Sequence, residues 1–113
     1  MERGVARGQT LNEETLREIV RRIVEVTAPD KIILFGSAAK GEMGPNSDID
    51  LLVVKRGEFH RGKVTEQIYM NLFGVGQAVD VVVVTPEDVE RYGKSHATVI
   101  AAAMREGRVV YAA

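Results

Sequence analysis

Short apolar runs separated by segments with helical periodicity constrain the fold of this chain more than any other feature. The runs are rich in the residues that favour strands, and turn residues bound them. We predict strands over residues 31–35, 48–54 and 78–85, and a last edge strand over residues 108–111. The sequence therefore predicts an α/β or α+β fold in which helices flank a small mixed β-sheet.

Helices are expected before, between and after these strands. The first begins near Thr10, which could open a capping box, or at Asn12, and it ends before Pro29. The second covers about residues 58–73. Its large residues near the end are predicted to be core or interface: Tyr69, Met70, Leu72 and Phe73.

Two shorter helices are predicted after the third strand. Thr85 followed by proline is a strong helix start, because threonine caps the helix and proline fits its first position. Gly93 interrupts this helix, and Ser95 is predicted to cap a further helix that extends through Met104 and is ended by Gly107.

Length and composition exclude several classes of protein. A chain of 113 residues fits one domain, expected over residues 10–113 after a flexible N-terminus at residues 1–9. It contains no cysteine, which excludes disulfides, thiolate nucleophiles and cysteine-bound zinc. The net charge is −1 and no apolar run could span a bilayer, so we expect a cytoplasmic protein that binds neither nucleic acid directly nor a membrane.

Carboxylates interrupt two of the predicted strands. Asp48 and Asp50 lie two residues apart on one strand, so their side chains share a face, roughly 7 Å apart along it. Asp80 stands inside the valine-rich strand, where an unpaired charge is costly. A divalent cation such as magnesium, which prefers carboxylate oxygens, would compensate these charges. Asp80 joins the same cluster if the two strands are neighbours.

A Gly-Ser turn follows the first strand. Gly36 lets the backbone approach a phosphate closely, and Ser37 offers a hydroxyl and a free amide. Such a turn beside metal-binding carboxylates is the arrangement that phosphoryl transfer requires.

The segment LFGSAAKG at residues 34–41, followed by SDIDLLV at residues 47–53 and a later acid in an apolar strand, resembles the minimal nucleotidyltransferases. These proteins are a branch of the DNA polymerase β-like nucleotidyltransferase superfamily. The resemblance covers about residues 32–84, and the ending EGRVVY at residues 106–111 is also similar. It implies the fold of the polymerase β palm, two magnesium ions, and transfer of a nucleoside monophosphate from a triphosphate such as ATP.

The resemblance also implies a role for single residues. Asp48 and Asp50 would bind both metal ions. Asp80 would complete the catalytic metal site and take the proton of the acceptor. Gly36 and Ser37 would contact the triphosphate.

Three neighbouring positions qualify this assignment. Lys40 either neutralises a phosphate or is simply solvated, and Ser47 either contacts the nucleotide or serves the turn. The branch often has the pattern Gly-Ser-Arg-Ala-Arg-Gly, and its arginine positions hold Ala38 and Lys40 here. Lysine keeps the charge of arginine but not its planar fork.

Members of this branch often serve as antitoxins whose partner is a helical HEPN-domain ribonuclease toxin, and some transfer AMP to a tyrosine of that toxin. The resemblance therefore implies a magnesium-dependent antitoxin enzyme of this kind. Two other functions stay open: a non-catalytic antitoxin that masks the toxin, which Ala38 favours, and a regulatory domain that binds nucleotide without turnover. Larger relatives carry a second domain for the acceptor, so we expect an acceptor that is small, arrives on a partner or lies across an oligomer interface.

Overall fold

The computed structural model describes residues 11–44, 47–95 and 98–113. Its elements, in chain order, are α1 (Glu13–Thr27), β1 (Lys31–Phe35), β2 (Ile49–Val54), α2 (Arg61–Asn71), β3 (Val79–Val84), α3 (Pro86–Tyr92), α4 (Val99–Glu106) and β4 (Arg108–Ala112). This order and the mixed sheet confirm the predicted α/β class.

The four strands form one sheet in the order β3-β2-β1-β4. β1 pairs antiparallel with both β2 and β4, whereas β2 and β3 run parallel. Because of these directions, the end of β1 and the beginnings of β2 and β3 lie at the same end of the sheet. The predicted turn and the predicted acids therefore share one end.

Helices cover both faces of the sheet, and alternate residues of each strand contribute to each side. On one face, α1 and α2 pack on a core that includes Ile49, Leu51 and Val53 of β2. On the other face, α3 and α4 pack on a smaller cluster that includes Leu52 and Val54. Asp50 precedes Leu52 at the strand period of two, so its side chain belongs to the α3 and α4 face.

The start predicted at Asn12 for the first helix is confirmed, whereas the bounds of the second helix differ from the prediction. Asn12 caps α1 by accepting a hydrogen bond from the Thr15 amide at 3.1 Å, while Thr10 and the predicted flexible segment 1–9 lie outside the described residues. The second helix is shorter than predicted and spans Arg61–Asn71, because His60 caps its first turn.

The prediction that Ser95 caps the last helix is wrong. Thr98 has extended backbone directly before α4, and its hydroxyl accepts from the Ala101 amide at 3.0 Å. The predicted end of this helix is confirmed, because α4 continues past Met104 to Glu106 and the chain leaves helical geometry at Gly107. No helix in the described ranges is long and apolar enough to cross a membrane.

Candidate active site

The three predicted acids lie together at one end of the sheet. The parallel register of β2 and β3 places Asp50 directly opposite Asp80, so both side chains point to the same face. Asp48 precedes β2 by one residue. Asp48 and Asp80 are exposed, whereas Asp50 is half-buried. The structure thus supplies the strand adjacency on which the acid cluster depends.

Asp50 is the electrostatic centre of this cluster. Burial raises the pKa of Asp50, and the negative charges of Asp80 and Asp48 raise it further. Among the described residues, none of the three carboxylates forms an ion pair with a lysine or arginine. The repulsion between them is therefore left for another cation to relieve.

These carboxylates are chemically suited to magnesium, although they do not form a closed cage. In the part of the chain that the structure describes, no three acidic or histidine side chains converge closely enough to hold a metal ion by themselves. Magnesium commonly takes one or two carboxylates and completes its shell with water and substrate phosphates. The oxygen donors of Asp48, Asp50 and Asp80 fit such an ion, and their role as its ligands remains a prediction.

The turn after β1 lies directly against the acids. Phe35, the last residue of β1, pairs with Asp50, and Gly36 follows with a φ of 75°. A Cβ atom at Gly36 would collide with Oδ2 of Asp50. Only glycine combines this left-handed backbone with so close an approach, so the position forms a backbone cradle beside the carboxylate.

Beyond Gly36 the chain makes a compact turn that leaves two amides unused. The Ala39 amide donates to the Gly36 carbonyl at 3.2 Å, and the Lys40 amide donates to the Ser37 carbonyl at 3.1 Å. Over the described ranges, the amides of Ser37 and Ala38 donate to no protein acceptor. Unpaired amides in successive turn residues attract anions, which agrees with the predicted phosphate contact.

Lys40 and Ser47 are engaged elsewhere. Lys40 Nζ lies 3.3 Å from Oε1 of Glu106 at the end of α4. The Ser47 hydroxyl accepts from the Gly44 amide at 2.8 Å, so it serves the loop, as one of the two interpretations holds. The predicted contacts of both residues with a nucleotide remain predictions.

Ala38, which occupies an arginine position of the resembling branch, belongs to the main core. Its exposed fraction is 5%, and its methyl group packs with the cluster beneath α1 and α2. The local backbone therefore directs the side chain at position 38 toward the core. The absence of an arginine at this position is thus a weaker argument against phosphate binding than the sequence pattern indicated.

Tyr69 is a member of this site that the sequence did not reveal. Its hydroxyl accepts a hydrogen bond from the Val81 amide at 2.8 Å and donates to Oδ1 of Asp80 at 3.5 Å. Sequence alone assigned Tyr69 to core or interface. No local signal could identify the contact, because it depends on how α2 packs beside β3.

The raised pKa of Asp50 predicts how stability depends on pH. A carboxyl whose pKa is raised on folding contributes stability below its ordinary pKa, and this contribution is lost as pH rises through the raised pKa. We therefore expect the metal-free Asp50→Asn variant to unfold at a higher temperature than the parent protein at pH 7. The difference should shrink as the pH falls toward the ordinary pKa of aspartate. Thermal unfolding across this pH range checks the prediction, and a difference that is constant with pH would contradict it.

Comparison with known proteins places the chain in a family. The family profile described as nucleotidyltransferase domain matches residues 13–110, from α1 to β4. Among curated protein sequences, no match was found.

Solved structures share the fold at low sequence identity. A crystal structure of a proposed nucleotidyltransferase from Sulfolobus solfataricus matches with a TM-score of 0.66 at 20% identity, covering 99% of this chain and 92% of that one. A chain of a variant of the toxin–antitoxin complex MntA–HpeT matches with a TM-score of 0.56 at 22% identity, covering 92% and 75%. A chain of a toxin–antitoxin complex with AMP-PNP matches with a TM-score of 0.51 at 23% identity, covering 91% and 75%.

Proposed function

Because this chain belongs to the nucleotidyltransferase domain family, we propose that it transfers AMP from ATP to a hydroxyl on a partner protein. The observation that carries the proposal is the position of Gly36 against Asp50, which itself lies opposite Asp80. A phosphate-binding turn and a set of metal-binding carboxylates at one end of a sheet are the two components that this reaction needs.

Each residue of the site has a distinct part in the proposed reaction. Asp48, Asp50 and Asp80 would hold magnesium, and Asp80 would also accept the proton of the attacking hydroxyl. The unpaired amides of Ser37 and Ala38 bind phosphate oxygens. When bound to these carboxylates, magnesium would supply electrostatic stabilisation of the charge that develops on the phosphate oxygens.

The bonds change in a single displacement. The acceptor oxygen forms a bond to the α-phosphorus of ATP as the bond to the bridging oxygen of the pyrophosphate breaks. AMP is then joined to the acceptor through a phosphodiester, and pyrophosphate leaves.

We further propose that the acceptor is a tyrosine of a HEPN-domain toxin, and that the protein acts as its antitoxin. The sequence resemblance to minimal nucleotidyltransferases supports this partner. The chains of similar fold that come from toxin–antitoxin complexes, one of them with AMP-PNP, agree with it.

An exposed apolar surface next to the acids is suited to such a partner. It consists of Tyr69, Met70 and Phe73 on or directly after α2, which are 40%, 72% and 89% exposed. We call this the α2 surface. It adjoins the acids because the Tyr69 hydroxyl contacts Asp80. A protein that covers the α2 surface could therefore present its hydroxyl to the acids.

Replacing Phe73 with aspartate is expected to weaken partner binding by about thirtyfold, the loss of about 2 kcal/mol that is typical of a large interface anchor. The fold should persist, because Phe73 is almost fully exposed. The matched control is Val109→Asp, which places the same charge at an exposed apolar residue of β4 on the opposite edge of the sheet. Titration calorimetry measures both affinities. Equal affinities for the two variants would place the partner elsewhere.

The reaction itself is tested with ATP that carries a radioactive label on either the α- or the γ-phosphate. The protein, magnesium and a candidate HEPN partner are incubated with each nucleotide, and the partner is analysed by gel and by intact mass. Label from the α-phosphate only, with a mass gain of one or more AMP units, is the expected result. Label from the γ-phosphate would show phosphate transfer and contradict the proposal.

The same experiment separates the two alternatives. A stable complex in which neither protein is modified would favour a masking antitoxin, which the α2 surface could provide without catalysis. Bound ATP with no complex and no pyrophosphate would favour a regulatory nucleotide-binding domain.

A further inference from the structure

We infer that Tyr69 is a positioning residue that orients the carboxylate of Asp80 for metal binding. The inference rests on the proposed function in one respect, the role of Asp80 as a metal ligand. It is carried by two hydrogen bonds of one hydroxyl, from the Val81 amide at 2.8 Å and to Oδ1 of Asp80 at 3.5 Å. The hydroxyl thus links a side chain to the backbone of the residue that follows it.

Asp80 needs such a restraint because of where it lies. β3 is an edge strand of the described sheet, so Asp80 has the repelling charge of Asp50 on one side and no described strand on the other. The residue is exposed, and no described lysine or arginine forms an ion pair with it. Repulsion by Asp50 would turn an unrestrained carboxylate away, because the side-chain bonds of Asp80 can rotate.

Tyr69 can supply the restraint because its own hydroxyl is fixed. The short hydrogen bond from the Val81 amide occupies an acceptor site on the phenolic oxygen, which leaves its single proton to be donated to Asp80. The tyrosine reaches Asp80 across the free edge of β3, from the helix that packs on the opposite face of the sheet.

The helix that carries Tyr69 is itself anchored. Two apolar residues close to Tyr69 in the chain, Ile68 and Leu72, are buried in the main core. At the end of the helix, Arg22 of α1 donates to the carbonyls of Asn71 and Phe73 at 3.3 and 3.2 Å. The phenol is therefore held by a rigid element, as an effective positioning group must be.

The consequence is a testable effect on metal affinity. A carboxylate that is already oriented loses less rotational freedom when it binds a cation. Hydrogen bonds to metal ligands typically change metal affinity by tenfold to a hundredfold, and we expect about tenfold here because the contact to Asp80 is long.

The experiment measures Mn²⁺ binding by electron paramagnetic resonance in the presence of a non-hydrolysable ATP analogue. Four proteins form a double-mutant cycle: the parent, Tyr69→Phe, Asp80→Asn and the double variant. Tyr69→Phe removes only the hydroxyl and keeps the ring of the α2 surface. Tyr111→Phe on β4, at the opposite edge of the sheet, is the matched control. Thermal unfolding confirms that each variant is folded.

We expect Tyr69→Phe to bind Mn²⁺ about tenfold more weakly than the parent, with Tyr111→Phe unchanged. In the Asp80→Asn background, the Tyr69→Phe change should have no further effect, because the charged carboxylate that Tyr69 orients toward the metal has been removed. Three results would each overturn the inference: parent-like affinity of Tyr69→Phe, an equal loss in the Asp80→Asn background, and a parent protein that binds no Mn²⁺. A purely structural role would weaken binding in both backgrounds.

The AMP-transfer assay on the same proteins separates this inference from the proposed function. Non-additive metal binding without transfer by the parent would support the inference and reject the proposed function. Transfer by the parent with additive metal binding would do the reverse.

Discussion

Replacing both Asp48 and Asp50 with asparagine should lower AMP transfer by about a thousandfold or more, a loss of about 4 kcal/mol of transition-state stabilisation. Asparagine keeps the shape of each side chain but removes the negative charge that is proposed to hold magnesium. Without the cation, the negative charge that develops on the triphosphate is not neutralised. The triphosphate is also no longer oriented by a metal ion held on the acids.

The stability of this variant should move in the opposite direction. Burial and the charges of Asp80 and Asp48 raise the pKa of Asp50, so its ionised form is unfavourable in the metal-free fold. Removing it should leave the unfolding temperature at neutral pH equal to that of the parent or higher. Functional residues often carry such a cost in stability.

The AMP-transfer rate of the double variant decides whether these acids form the site. A rate within about tenfold of the parent would be too small a loss for removed metal ligands, and it would show that the acids are not the site.

Replacing Gly36 with alanine should lower transfer by about a hundredfold, because displacing a reacting group by about 1 Å can cost that much. The new methyl group would collide with Oδ2 of Asp50. The Asp50 carboxylate would have to rotate away from its position opposite Asp80, or the turn would have to move.

Gly41→Ala is the matched control for this prediction. Gly41 has a φ of 72°, close to the 75° of Gly36, but a Cβ atom there would have no atom of another described residue within 4 Å. Both alanines pay the left-handed backbone cost of about 1–2 kcal/mol, so only the collision with Asp50 distinguishes them. Equal transfer rates for the two variants, after correction for folded protein, would show that the approach of Gly36 to Asp50 has no part in the reaction.

The sequence predicted the components of this site better than their contacts. The two-residue spacing of Asp48 and Asp50 is a local pattern with a local consequence. The four predicted strands and their order along the chain were also confirmed. The meeting of Asp80 with Asp50 depends on the pairing of two strands separated by a helix. Local periodicity does not encode that pairing, so the sequence could only state it as a condition.

Other features could be known only from the packed structure. The collision that reserves position 36 for glycine requires the register of β1 on β2. The contact of Tyr69 with Asp80 requires the placement of α2 beside the edge strand. The cap of α4 is Thr98, which has extended backbone directly before the helix, and a residue of the same capping type at position 95 gave no way to tell this from the sequence.

The burial of Ala38 illustrates the limit of comparing residue patterns. Substitution of an arginine by alanine in a motif suggests a lost phosphate contact. In this fold the side chain at position 38 packs with the core under α1 and α2. The backbone amides of Ser37 and Ala38, which do not depend on the side chain, donate to no acceptor within the described part of the chain.

We propose that one end of the sheet binds a nucleotide and its metal between the Gly36 turn and the three aspartates. The most direct test is a crystal structure of the protein with Mn²⁺ and a non-hydrolysable ATP analogue, with the metal located by anomalous scattering. We predict Mn²⁺ bound to the carboxylates of Asp48 and Asp50, with the phosphates against the amides of Ser37 and Ala38. Nucleotide bound elsewhere, or Mn²⁺ without contact to Asp48 or Asp50, would contradict the claim.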